Sequence, residues 1–210
     1  MKSLKEFIIK EGFIRQSGGM DVKAKIESWL EEQGIKKYTI NADMTIDVGS
    51  VVLDDEYEEE QFPEYIQFRK VKYFIIEGSP KLKSLKGAPQ KVGGYFKCCD
   101  CPKLESLEGA PQTVAKAFDC HSCENLTSLK GAPQKVGGWF GCNGCANLTS
   151  LEGAPKEVGG GFYCNDCPKL ESLKGAPQKV GGEFNCSKCG KQFTEDDVKK
   201  VSNVHDKIIV

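Results

Sequence analysis

Five cysteine pairs carry the most suggestive spacing in this chain: Cys98/Cys101, Cys120/Cys123, Cys142/Cys145, Cys164/Cys167 and Cys186/Cys189. C-x-x-C is the half-site from which tetrahedral zinc centres and iron–sulfur clusters are built. The stretch at 185–193, "NCSKCGKQF", even continues as many zinc-binding units do. A structural zinc site needs two further ligands. After Cys189 the first expected histidine is missing, and only His205 is near. The eleventh cysteine, Cys99, lies off the paired pattern, and His121 and Asp119 fall in matching columns of the sequence. A thiol, an imidazole and a carboxylate in one patch have the chemistry of an activated nucleophile or of a metal contact.

The elements that would position these groups follow from a repeat. Phe74, Phe96, Phe118, Phe140, Phe162 and Phe184 are separated by steps of 22. The same step joins Leu82 to Leu104, Leu126, Leu148 and Leu170, Leu85 to Leu107, Leu129, Leu151 and Leu173, and Pro89 to Pro111, Pro133, Pro155 and Pro177. The unit reads V-G-G-x-F-x-C-x-x-C-x-x-L-x-S-L-x-G-A-P-x-x. Phenylalanine and the first cysteine are two apart, so they share one side of a strand. G-G and G-A-P punctuate turns and stop helices. The pattern predicts one strand per coil with a turn-rich return, stacked into a right-handed solenoid with one parallel β-sheet and a continuous core.

At the phase of the cysteines, the first coil carries Ile76 and Ser79. Isoleucine marks the first position as apolar and buried, and serine marks the second as small and able to hydrogen-bond. Both fit a ladder in which cysteine is a compact apolar filler with a weak S–H donor. Stacked strands lie about 4.8 Å apart. Pairs from neighbouring coils therefore have the reach to hold zinc or an iron–sulfur cluster, or to form disulfides. Metal at every step would crowd positive charge and make folding metal-dependent. The expectation is a dry ladder with no metal and no cofactor, and the alternative is a metal-binding or redox protein using the pairs.

With Phe96 and Cys98 on the strand, Cys101 at the asparagine-or-cysteine position and Leu104 at the next core position, the unit resembles the leucine-rich repeat, in particular its cysteine-containing subtype. The phrase "LTSLKGAPQKVGG" and the passage "YTINADMTIDV" at 38–48 are similar to short repeat proteins of bacterial and bacteriophage type. The chain departs from the family in lacking leucine on the strand and in its glycine-rich return. The resemblance implies an α/β repeat solenoid that acts as a binding scaffold, as an inhibitor or regulator of an enzyme.

Four segments are expected: a helical N-terminal cap at 1–36, a strand hairpin, acidic loop and degenerate first coil at 37–72, regular repeats at 73–193, and a C-terminal cap at 194–210. Apolar spacing near 3.6 predicts helices in "SLKEFIIKEGFI" and "DVKAKIESWLEEQGI", with Ser3 and Asp21 as N-caps. The run "DDEYEEE" reads as a solvated loop, "TEDDVKKVSNV" as a short helix capped by Thr194, and "KIIV" as a last strand. Lys86, Glu108, Lys130, Glu152 and Lys174 alternate in sign down one column, so adjacent coils meet with opposite charges.

A net charge of -1 over 210 residues provides no field for nucleic acid or an anionic membrane. No apolar run approaches the ~20 residues that span a bilayer. The charged start is unlike a signal peptide, and an odd number of cysteines points to a reducing, cytoplasmic setting. Residues that vary on the outward columns are free for function. Those columns display Tyr73, Tyr95, Trp139 and Tyr163 beside Lys97, Asp119 and His121. Clustered aromatics are typical interface anchors, so these seven are the expected contact residues for a partner protein. Cys99, His121 and Asp119 lie on a flat sheet face with no pocket and no oxyanion donors, so catalysis is not expected.

Overall fold

The strand of the repeat does not run straight, because each regular coil carries three residues between its valine and its core strand, a glycine pair among them in most coils and Ala115–Lys116 in one. The computed structural model describes residues 21–210, and in it β3 (Phe68–Glu77) is one continuous strand. The next coil covers the same ground with two short strands, β4 (Lys91–Val92) and β5 (Phe96–Cys99). Val71 faces Val92 and Phe74 faces Phe96. The glycine-bearing coil thus spends one residue more than its neighbour between these two points, which bends the chain as a β-bulge does.

Every later coil repeats the split, so two parallel ladders run the length of the solenoid where one strand per coil was predicted. One ladder is β4, β6 (Thr113–Val114), β8 (Lys135–Val136), β10 (Glu157–Val158), β12 (Lys179–Val180) and β14 (Asn203–Val204). The other is β5, β7 (Phe118–Asp119), β9 (Phe140–Gly141), β11 (Phe162–Tyr163), β13 (Phe184–Asn185) and β15 (Ile208–Ile209). Both meet at β3, and β3 pairs in parallel on its other side with β2 (Ile46–Leu53). The predicted hairpin is present, with β1 (Tyr38–Ile40) antiparallel to β2.

The interior is a set of stacked rows. Phe74, Phe96, Phe118, Phe140 and Phe162 stack nearly flat, with neighbouring ring centroids 5.2–5.5 Å apart, and Phe184 closes the row with a tilt of 43°. Leucine rows at Leu82 and Leu85 and their counterparts are buried beside it. The C-x-x-C spacing has a backbone cause. The residue before each second cysteine (Asp100, Ser122, Gly144, Asp166, Lys188) has a φ of 52° to 70°, and Gly78 has 76° in the first coil. This left-handed step turns the chain at the strand end, so two side chains three residues apart both point into the core.

Both ends are covered. Helix α1 (Val22–Glu32) buries Val22, Ile26, Trp29 and Leu30, and Trp29 meets Phe68 edge-on at 6.3 Å. Asp21 takes the N-cap position without a side-chain capping bond. The helix predicted around Ser3 lies outside the described residues. Helix α2 (Glu195–Val201) begins with the expected capping box, in which Asp197 N–H donates to Thr194 Oγ1 at 3.2 Å and Thr194 N–H to Asp197 Oδ2 at 3.1 Å.

The acids of the run at 54–60 are exposed in a loop, as expected, but the run is anchored by one buried residue, Tyr57. Tyr57 and Phe62 stack on each other and are buried, and Phe62 meets Phe74 edge-on at 5.5 Å. Glu58 and Glu60 reach Lys81 and Lys83 of the next coil at 2.8 and 2.7 Å. The run is one side of an irregular coil whose interior is aromatic. The alternating charge column also pairs, with Lys130–Glu108 at 3.2 Å and Lys174–Glu152 at 2.6 Å. These pairs are exposed and screened by solvent, so they favour register more than stability.

Candidate functional site

Ten cysteines belong to the core ladder, and the second of each pair sits where the backbone ladder misses a rung before it resumes, as Ser122 N–H to Asn143 O at 2.9 Å. Phe118 and Cys120 donate their N–H groups to the carbonyls of Trp139 and Gly141 in the next coil. One rung is then skipped in two of the coils, where the residue after the first cysteine gives its N–H to its own strand: His121 to Asp119 Oδ1 at 3.3 Å, Ser187 to Asn185 Oδ1 at 3.1 Å. The first cysteine's carbonyl receives a thiol instead. Cys123 Sγ donates to Cys98 O at 3.0 Å, Cys145 to Cys120 O at 3.3 Å, Cys167 to Cys142 O at 3.4 Å, and Cys189 to Cys164 O at 3.2 Å. In the first coil Ser79 Oγ plays this part, donating to Tyr57 O at 2.7 Å. A buried carbonyl left without a donor costs roughly 1–3 kcal/mol, which is why the second position takes only small side chains with a proton to give.

Burial also governs ionisation. It raises the thiol of Cys101 to about 11 and those of Cys145, Cys167 and Cys186 to about 12, and it lifts Cys98, Cys120, Cys123, Cys142 and Cys164 well above the ordinary range. All eleven cysteines are unpaired by disulfides, and all but Cys189 are buried. The thiolate is the species that attacks or ligates, so these are inert groups at neutral pH.

On the other side of the second ladder lie the predicted contact residues. Tyr73 and Tyr95, on consecutive coils, stack at 5.8 Å and 19°, while Lys72 and Lys116 cover their rings at 5.1 and 5.7 Å. Trp139 and Tyr163, on later coils, meet edge-on at 6.2 Å. The four rings therefore pack in pairs, each half-buried. Between the two pairs sit Lys97, Asp119 and His121. Lys97 stands opposite Asp119 in the ladder and is half-buried.

The face is less flat than the strand alternation implies. Cys99 points outward from β5 yet is only 1% exposed, and Asp119 is 5% exposed. Asp100 N–H bonds His121 O at 3.0 Å, which sets His121 beside Cys99. Asp119 Oδ1 lies 3.1 Å from His121 Nδ1, and Asp100 Oδ2 lies 3.3 Å from His121 Nε2. Gly141 borders the cluster: a methyl group there would come within 3.0 Å of both Asp119 Oδ1 and the Trp139 ring. Among the described residues, Cys99, Asp119 and His121 are the one group of three ligand-type side chains whose donor atoms gather within 4.8 Å of one another. The sequence brought these three into one patch, but it did not show that Cys99 is buried. It also missed Asp100, whose column holds Asp, Ser, Gly, Asp and Lys and so carries no repeating signal.

Burial, followed by the charge of Asp119, raises the Cys99 thiol far above its ordinary value, so it is no poised nucleophile. No protein-family model matches this chain, and neither the curated proteins nor the solved structures contain a match to it. Among the described residues no helix is long and apolar enough to cross a membrane.

Proposed function

We propose that this chain is a protein-interaction scaffold of the leucine-rich-repeat kind, which binds a folded partner protein through the outer face of the second ladder. The reading rests on one observation: two half-buried aromatic pairs, Tyr73–Tyr95 and Trp139–Tyr163, stand on one hydrogen-bonded ladder with Lys97, Asp119 and His121 between them. Rings already held by their neighbours lose little side-chain entropy on binding, and aromatic anchors dominate interface energetics. The other long columns of the solenoid hold ion-paired lysines and glutamates, which are depleted at interface cores. A role as inhibitor or regulator, and a bacterial or bacteriophage setting, extend the same reading from the sequence resemblance.

The test is affinity capture by the immobilised chain with quantitative mass spectrometry, comparing the unaltered protein with a Tyr95→Ala/Trp139→Ala double variant of matched circular dichroism. Two anchors at about 2 kcal/mol each predict that affinity for captured partners falls by roughly 1,000-fold. Equal capture by the folded variant contradicts the chosen face.

A further inference from the structure

We propose that Cys99, Asp119 and His121 form a binding site for a single transition-metal dication, with zinc the best match to the donor set. The three donors are a sulfur, a carboxylate oxygen and an imidazole nitrogen, the mixture that borderline-soft Zn²⁺ accepts and that hard Mg²⁺ and Ca²⁺ do not. They come from adjacent coils whose spacing is set by the parallel ladder, so the site rests on rigid elements.

Two features beyond the clustering point to a cation. Asp119 is a carboxylate at 5% exposure, and its ion-pair partner is His121; Lys97, opposite it in the ladder, makes no such pair. A neutral imidazole has one N–H to give, yet His121 faces carboxylate oxygens at both ring nitrogens. A cation on Nδ1, a second proton or a metal, answers both contacts, and with a metal there Nε2–H donates to Asp100, the carboxylate–histidine–metal arrangement that orients most ligating histidines. The Cys99 thiol, held protonated by burial and by Asp119, gives up its proton to solvent when the ion supplies the opposing charge. Bond lengths of about 2.0–2.3 Å put tetrahedral ligand atoms about 3.3–3.7 Å apart, so side-chain rotation opens the 3.1 Å gap between Asp119 Oδ1 and His121 Nδ1 slightly and brings donors near the 4.8 Å limit in by roughly 1 Å. Three protein ligands leave a fourth position to water on the half-exposed side of His121.

The experiment uses the full chain, stripped of metal and kept reduced without chelating thiols. Zn²⁺ is titrated by calorimetry and Co²⁺ by absorption. We expect one equivalent bound, with a thiolate-to-cobalt charge-transfer band. Cys99→Ser abolishes that band and His121→Ala lowers affinity by about 100-fold, while Asp100→Asn lowers it about 10-fold, within the range for outer partners of ligands. Imidazole nitrogen shifts give a readout independent of the variants, because the chain has only 2 histidines and only His121 should shift on Zn²⁺ addition. Absence of uptake by the folded protein overturns the proposal. So does uptake undiminished in folded Cys99→Ser and His121→Ala, which would put the ion on the ladder thiols.

Discussion

A Gly131→Ala protein is expected to lose about 2–6 kcal/mol of stability, the sum of backbone strain and forced overpacking. Gly131 has a φ of +93°, where side chains are rarely tolerated. The obstacle is also external, since a methyl there would lie 2.4 Å from the Glu108 nitrogen and the Leu107 carbonyl carbon of the preceding coil. Those atoms are backbone, so no rotamer change relieves the contact, and the two coils must part. Leu107 N–H bonds Lys130 O at 3.1 Å next to this point and would be strained with them. Gly34→Ala separates the two causes: its φ is +67° with nothing within 4 Å of the added methyl. Strain alone there predicts about 1 kcal/mol. Urea unfolding of both variants measures the difference. Equal losses would mean that close approach of coils does not explain the glycine of G-A-P.

The second large effect is at the centre of the aromatic row. Phe118→Ala is expected to destabilise the protein by about 3–5 kcal/mol, the usual cost of emptying a buried phenylalanine site. Its ring lies 5.2 Å from both Phe96 and Phe140, and all three are fully buried. The cavity cannot collapse, because the parallel ladder on either side fixes the distance between coils. In a solenoid, stability is a chain of nearest-neighbour interfaces, so the loss falls on two interfaces at once. Denaturant curves should show a lower midpoint, with a broadened transition if the two halves uncouple. A loss under 1 kcal/mol would mean the row is not what joins the coils.

Much of this architecture was legible because the register between coils is one whole repeat, so Phe96 predicts Phe118 as its neighbour without knowledge of the path between them. Ile76 and Ser79 were the informative exceptions. They showed what the cysteine positions require, and Ser79 does donate to a buried carbonyl. The first ladder escaped notice because its strands are two residues long, and "KV" is too short to show alternation. Tyr57 and Phe62 were hidden by the acids around them, since composition suggested solvent where the period had broken down. Burial of Cys99 depends on how His121 and Asp119 of the next coil lie over it, a relation that strand alternation does not encode. The pairing of the four aromatic rings was likewise beyond the sequence: it marked them as sharing a face, and only side-chain geometry shows Tyr73 on Tyr95 and Trp139 on Tyr163.

The account turns on the ladder thiols being neutral, inward-facing filler that occupies a missing rung between coils. Ellman's reagent applied to the native, reduced protein measures this directly, with the fully denatured chain as reference. The account predicts no rapid reaction in the folded state: Cys189, the one cysteine that is not buried, reacts first but slowly, its thiol raised by partial burial and bonded to Cys164 O, and the other ten of the 11 react only as the protein unfolds. Prompt reaction of several ladder thiols in the folded state would contradict it.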